Sequence, residues 1–108
     1  MKTLKFRPHL AEMILRGEKH TTWRLFDDKD LTKGDRIELI NWKTGDVFGQ
    51  AEITEMSEKK FADLTEADWD GHEKFDSEQD MYQTYSGYYG QTVGAGTIVK
   101  VLRMKALQ

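Results

Sequence analysis

Gly17-Glu18-Lys19-His20-Thr21-Thr22-Trp23-Arg24 is the stretch on which the fold of this chain turns. It follows a short amphipathic run, residues 8–16, in which Leu10, Met13, Ile14 and Gly17 recur at helical spacing. Pro8 suits the first turn of a helix, where its missing N–H costs nothing, and Gly17 is a natural C-terminal stop. Thr21 to Leu25 is rich in β-formers and reads as a strand. Alternation puts Thr22 and Arg24 on one face of that strand, and Thr21 and Trp23 on the other. Lys19 has the wrong parity to join Thr22 in an ideal strand. The irregular helix exit at Gly17 removes that constraint, so Lys19 can swing over the same pocket. A lysine, hydroxyls and an arginine converging in this way suit a polar, planar ligand.

Outward from this segment, Lys2 to Arg7 alternates around Leu4 and Phe6 and reads as a first strand. Lys33-Gly34-Asp35 is a turn that launches a strand over residues 36–41, and Lys43-Thr44-Gly45-Asp46 is a hairpin turn. The partner strand runs over residues 47–56, with Val47, Gly49, Ala51 and Ile53 on one parity. Phe61 to Leu64 and Thr65 to Trp69 read as short helices, the second capped by Thr65 with Asp68 at the capping-box position. Residues 76–89 form a larger helix, and residues 97–107 close the chain as a strand. No repeat, linker or low-complexity segment interrupts the chain, so residues 1–108 read as a single domain. The fold class expected is α+β: a small mixed β-barrel of about five strands, with helices after the first strand and before the last.

The composition, 38% hydrophobic and 32% charged, is that of a soluble globular protein. No apolar run is long enough to span a bilayer, and the N-terminal residues lack the apolar core of a signal peptide, so a cytoplasmic protein is expected. With no cysteines and three scattered histidines, no metal site and no cofactor are expected. The net charge of −3 argues against coating nucleic acid by bulk attraction. Its distribution is uneven. Residues 1–24 hold six Lys/Arg against two Glu, whereas residues 52–80 hold three Lys/Arg against eleven Asp/Glu. If the basic terminal segments lie in one sheet, they form a positive face on an acidic body.

The order of these features resembles the ASCH domain family. A helix followed by Gly-x-Lys-x-x-Thr-x-Arg, then Lys33-Gly34-Asp35 opening a strand, then Asp63-Leu64-Thr65-Glu66 and a terminal strand, covers most of the chain. The resemblance implies a PUA-like β-barrel with a pocket for RNA or a nucleoside-like ligand. Some small bacterial members of that family are amidohydrolases that remove the acetyl group of N4-acetylcytidine with a lysine, a threonine and a glutamate. The resemblance places that lysine and threonine on Lys19 and Thr22. An ungapped count from Leu64-Thr65-Glu66 lands on His72 for the glutamate, and a shift of one residue gives Glu73, the residue assigned.

Three functions follow. The first is binding of RNA or a modified nucleoside by Lys19, Thr21, Thr22 and Arg24, with Trp42 as an exposed stacking ring beside its turn. The second is amide hydrolysis by Lys19, Thr22 and Glu73; with an ionised glutamate adjacent, the glutamate is the better base and the lysine an electrostatic stabiliser. The third is a protein-interaction module with no small ligand. Trp23 reads as core, and the Met81/Tyr85/Tyr88 stripe reads as the buried side of its helix.

Overall fold

The structure is a computed structural model that describes residues 1–27 and 29–107. In chain order it runs β1 (Lys2–Phe6), α1 (Pro8–Leu15), β2 (Thr21–Arg24), β3 (Arg36–Asn41) and β4 (Val47–Lys60). A turn of 3-10 helix (Phe61–Asp63), α2 (Glu66–Trp69), α3 (Glu78–Tyr89) and β5 (Ile98–Leu107) follow. The five strands form one sheet in the order β1-β3-β4-β5-β2, curled into a half-barrel. β1 runs parallel to β3, and the other pairings are antiparallel. Among the described residues, no helix is long and apolar enough to cross a membrane.

Two cores sit on opposite faces of this sheet. Leu4, Phe6, Leu10, Ile37, Leu39, Ile53 and Leu102 pack together beneath α1. Trp23, Phe61, Met81, Tyr85, Val99 and Val101 pack beneath α3. β5 serves both, sending Val99 and Val101 to one side and Leu102 and Met104 to the other. That double duty explains its nearly continuous apolar run, which is the pattern of a strand covered on both faces.

Two expectations along β4 change. The strand continues to Lys60 because its backbone stays paired with β5 as far as Lys60↔Ile98, although apolar alternation ends near Met56. At its start, a register shift opposite Leu39 and Ile40 breaks the parity that would bury Val47. Val47 is left exposed, and Phe48 packs on the first core instead. The capping of α2 is as read: the Thr65 N–H donates to Asp68 Oδ2 at 2.8 Å, and the same oxygen accepts from Lys59 Nζ at 2.8 Å. The basic terminal segments do not merge into one positive face. Two cations of β5 are engaged locally, Lys100 with Asp27 at 2.7 Å and Arg103 with Glu55 at 3.5 Å.

The sheet stays open between its edge strands, β1 and β2. Side chains bridge that seam in place of a ladder. Arg24 Nη2 donates to the Lys5 carbonyl at 3.0 Å, Lys29 Nζ to the Thr3 carbonyl at 2.6 Å, and Lys2 Nζ to the Asp30 carbonyl at 2.7 Å. On its other side, the entry to β2 is stitched to the loop between α2 and α3. The His20 and Thr21 N–H groups both donate to the Gly71 carbonyl, at 2.9 and 3.1 Å, and Thr21 Oγ1 donates to the Asp70 carbonyl at 2.7 Å. Gly71 has φ of +76°, and a Cβ there would overlap the His20 imidazole. Gly71→Ala is therefore expected to destabilise the fold by more than about 1 kcal/mol, read as a lower midpoint in urea at unchanged slope.

Candidate active site

The helix exit is what brings Lys19 inward. Gly17 adopts φ of +77°, its N–H donates to the Ile14 carbonyl, and those of Glu18 and Lys19 both return to the Met13 carbonyl. This tight reversal points the Lys19 side chain into the protein, where the residue is 2% exposed. Its ammonium donates to the Thr21 carbonyl at 2.7 Å and to Glu73 Oε1 at 2.5 Å. Glu73 reaches it from the loop that Gly71 holds against β2. The one-residue shift from His72 to Glu73 is thus what the geometry requires of an acid that meets this lysine.

Glu73 and Thr22 both line a cavity of about 170 Å³ beside the open seam. Its deep wall is apolar and aromatic, from Phe6, Leu10, Trp23 and Tyr85, all buried. Lys5, Arg7, Trp42 and Tyr88 form a more open rim. A cavity near 150 Å³ can hold a single six-membered ring, so this one is matched to one planar ring whose substituents leave through the mouth. Lys19 stands behind Glu73, outside the cavity lining.

The charges set each other. Burial lowers the Lys19 pKa below the ordinary lysine value, with the Arg24 charge adding to this and Glu73 opposing it. Burial alone would raise the Glu73 carboxyl, but the Lys19 ammonium and its hydrogen bond take it below the ordinary carboxylate range. Arg24 is inside the same field. One of its terminal nitrogens is spent on the Lys5 carbonyl, and its Cζ lies 4.6 Å from the Phe6 ring centroid. Its Nε–H is buried without a partner among the described residues. A buried donor without an acceptor costs about 1–3 kcal/mol.

His72 holds the back of the site as a neutral ring. Its imidazole stacks on Trp23 with centroids 3.7 Å apart. Nδ1 lies 2.7 Å from the Glu73 carbonyl, which can only accept, so Nδ1 carries the proton and donates. Nε2 is then an acceptor and receives the Tyr85 hydroxyl at 3.1 Å. Burial, together with the Lys19 charge, pushes the His72 pKa down to about 3. Among the described residues, no group of three or more His, Asp or Glu side chains could hold a metal ion.

Of the residues expected at the site, Thr22, Arg24, Trp42 and Glu73 share the cavity, with Lys19 bonded to Glu73. Thr21 does not join them: it is fully buried, and its hydroxyl is bonded to the Asp70 carbonyl. Trp23 is core, as read, and also forms part of the cavity wall. The stripe on α3 has two roles. Met81 and Tyr85 are buried, whereas Tyr85, Tyr88 and Tyr89 also line the cavity. Arg7 was missed; its place in the site depends on β1 reaching the seam, which no local pattern reveals.

Solved structures of ASCH domains share this fold. The ASCH domain from Lactobacillus crispatus JV V101 is 20% identical, with a TM-score of 0.66 over 89% of this chain and 69% of that one. ASCH from Zymomonas mobilis is 14% identical, with a TM-score of 0.67 over 95% of this chain and 65% of that one. A protein from Enterococcus faecalis V583 is 11% identical, with a TM-score of 0.74 over 92% of this chain and 70% of that one. No family model matches the chain, and no curated protein does. The class these comparisons establish is one of fold: the chain has the α+β half-barrel of the ASCH domains, as the resemblance in its sequence implied.

The neutral His72 makes stability depend on pH. Unfolded, the imidazole binds a proton near pH 6.5; folded, it does so only near pH 3. Its contribution is therefore complete above about pH 6.5 and is lost as pH falls toward 3. Urea unfolding should show a loss of roughly 2 kcal/mol between pH 7 and pH 5 from this group, and His72→Gln should flatten that slope.

Proposed function

We propose that the protein hydrolyses an amide carried on a single-ring heterocycle, with an N4-acylated cytosine as the substrate class. The observation that carries this reading is the buried Lys19–Glu73 pair at 2.5 Å, with its carboxylate and Thr22 opening onto a cavity sized for one ring. The resemblance of the motif residues to the amidohydrolase members of the ASCH family supplies the substrate.

In this reading the ring lies against the aromatic wall, with its acylamino group toward Glu73. The ionised carboxylate takes a proton from the attacking water as the oxygen–carbon bond forms. The Arg24 guanidinium on the cavity wall and the Lys19 ammonium behind Glu73 offset the charge that develops on the oxyanion. Glu73 returns the proton to the leaving nitrogen as the carbon–nitrogen bond breaks, giving a carboxylic acid and the free exocyclic amine. Thr22 supplies a hydroxyl within the same cavity. Binding of a nucleoside or RNA without turnover would use the same residues, with Trp42 stacking at the mouth.

The test is conversion of N4-acetylcytidine to cytidine, followed chromatographically. Glu73→Gln and Lys19→Met should each lower kcat/KM by about 100-fold or more, while the folded far-ultraviolet spectrum is kept. Tight nucleoside binding with no conversion by the wild type would leave the binding reading in its place. The pH profile of kcat/KM has a defined sign. Activity should persist below the ordinary carboxylate range before the acid limb falls, because Glu73 is held ionised. The basic limb should fall before an ordinary lysine titrates, because the Lys19 pKa is lowered. Breaking the pair from one side should also cost about 3–5 kcal/mol of stability, since a buried charge is left uncompensated.

A further inference from the structure

The rim of the cavity carries a cation that the chemistry above does not use. Arg7 leaves the end of β1, and its guanidinium carbon lies 3.7 Å from the Trp42 ring centroid and 5.0 Å from that of Tyr88. Both rings are substantially exposed, Trp42 at 53% and Tyr88 at 37%. Stacking uses the face of a guanidinium and leaves its N–H groups in the plane, free to donate. None of the ion pairs among the described residues involves Arg7 or Lys5, which stands two residues away on the same rim. Among the described residues, Glu73 is the one acid lining the cavity, and Lys19 is paired with it. The mouth is thus a positive rim, and Arg24 on the wall adds a further cation with no ion pair among the described residues. On a chain of net charge −3, two rim cations that have no ion pair among the described residues set up a field for an anion.

The size of the cavity says where that anion lies. With room for one ring, the floor holds the base, and the sugar and anything attached to it emerge between Trp42, Arg7 and Tyr88. We infer that Arg7, held on Trp42 and Tyr88 and assisted by Lys5, binds a phosphate attached to the sugar of the bound nucleoside. The ligand is a phosphorylated cytosine nucleotide, free or within a strand, in preference to the bare nucleoside. This rests on the cavity being the base site but not on the reaction occurring there.

The experiment is calorimetric titration of the full chain with cytidine, with cytidine 5′-monophosphate, and with a short single-stranded cytidine-containing oligonucleotide. The monophosphate is expected to bind about 10- to 100-fold more tightly than cytidine, which is the range for a charge-assisted hydrogen-bond pair. That preference should shrink as salt is raised from 20 to 300 mM. In Arg7→Ala the ratio of the two affinities should fall toward one. Arg7→Lys, which keeps the charge but loses the planar fork, should retain part of it. An oligonucleotide that binds at least as well as the monophosphate, and loses affinity in Arg7→Ala, identifies the phosphate as one within a strand. An oligonucleotide that binds more weakly identifies it as a free monoester. Equal affinity for cytidine and its monophosphate, a preference unchanged in Arg7→Ala, or no binding of any of the three overturns the inference. Deacetylation of N4-acetylcytidine with no phosphate preference would leave the proposed reaction standing and remove this inference alone. A phosphate preference with no deacetylation would do the reverse.

Discussion

The Lys19–Glu73 pair is the interaction on which the site depends. Burying either charge alone would cost several kcal/mol, and together they offset much of that cost only if both are held in place. Each is held by backbone rather than by chance packing. Gly17 turns the chain so that Lys19 points inward, and Gly71 fastens the loop that brings Glu73 to meet it. The two glycines lie at opposite ends of a sequence separation that no short motif spans. The pair therefore depends on the hydrogen bonds that stitch β2 to the α2–α3 loop.

Behind the pair, the neutral His72 links three elements. It stacks on Trp23 of β2, donates to the backbone of Glu73 and accepts from Tyr85 of α3. This fixes more than position. Because the Tyr85 hydroxyl spends its proton on His72, its oxygen is left as an acceptor beside the cavity that Tyr85 lines. The same chain of bonds ties α3 to the loop that carries Glu73.

Much of this was legible in the sequence where local rules hold. Pro8 and Gly17 bracket α1, Thr65 and Asp68 cap α2, and the five strands follow from alternation and turns, whereas their order in the sheet does not. The pairing of Thr22 with Arg24 on the cavity side came from parity alone. Where a bulge or a long-range contact intervenes, local rules fail. Val47 keeps the right parity in sequence but loses it to a register shift, and Thr21 has a suitable hydroxyl that the backbone of Asp70 consumes. The tyrosines of α3 have the spacing of a core stripe because part of them is core. Nothing in that spacing says that the same stripe also walls a cavity. Arg7 acquires its role only when the ends of β1 and β2 face each other.

The open seam between β1 and β2 has a consequence for how such a site can diversify. In a closed barrel, every residue along the joint is committed to a backbone ladder, and changing the cavity there means disturbing strand register. Here the joint is made by the side chains of Lys2, Arg24 and Lys29 reaching across to carbonyls. Residues facing the gap can change in size or charge without breaking a strand pairing. The scaffold keeps its fold through β3, β4 and β5, while the edges that border the cavity remain free to vary. The cavity can therefore be reshaped at the seam at little cost to the stability of the sheet.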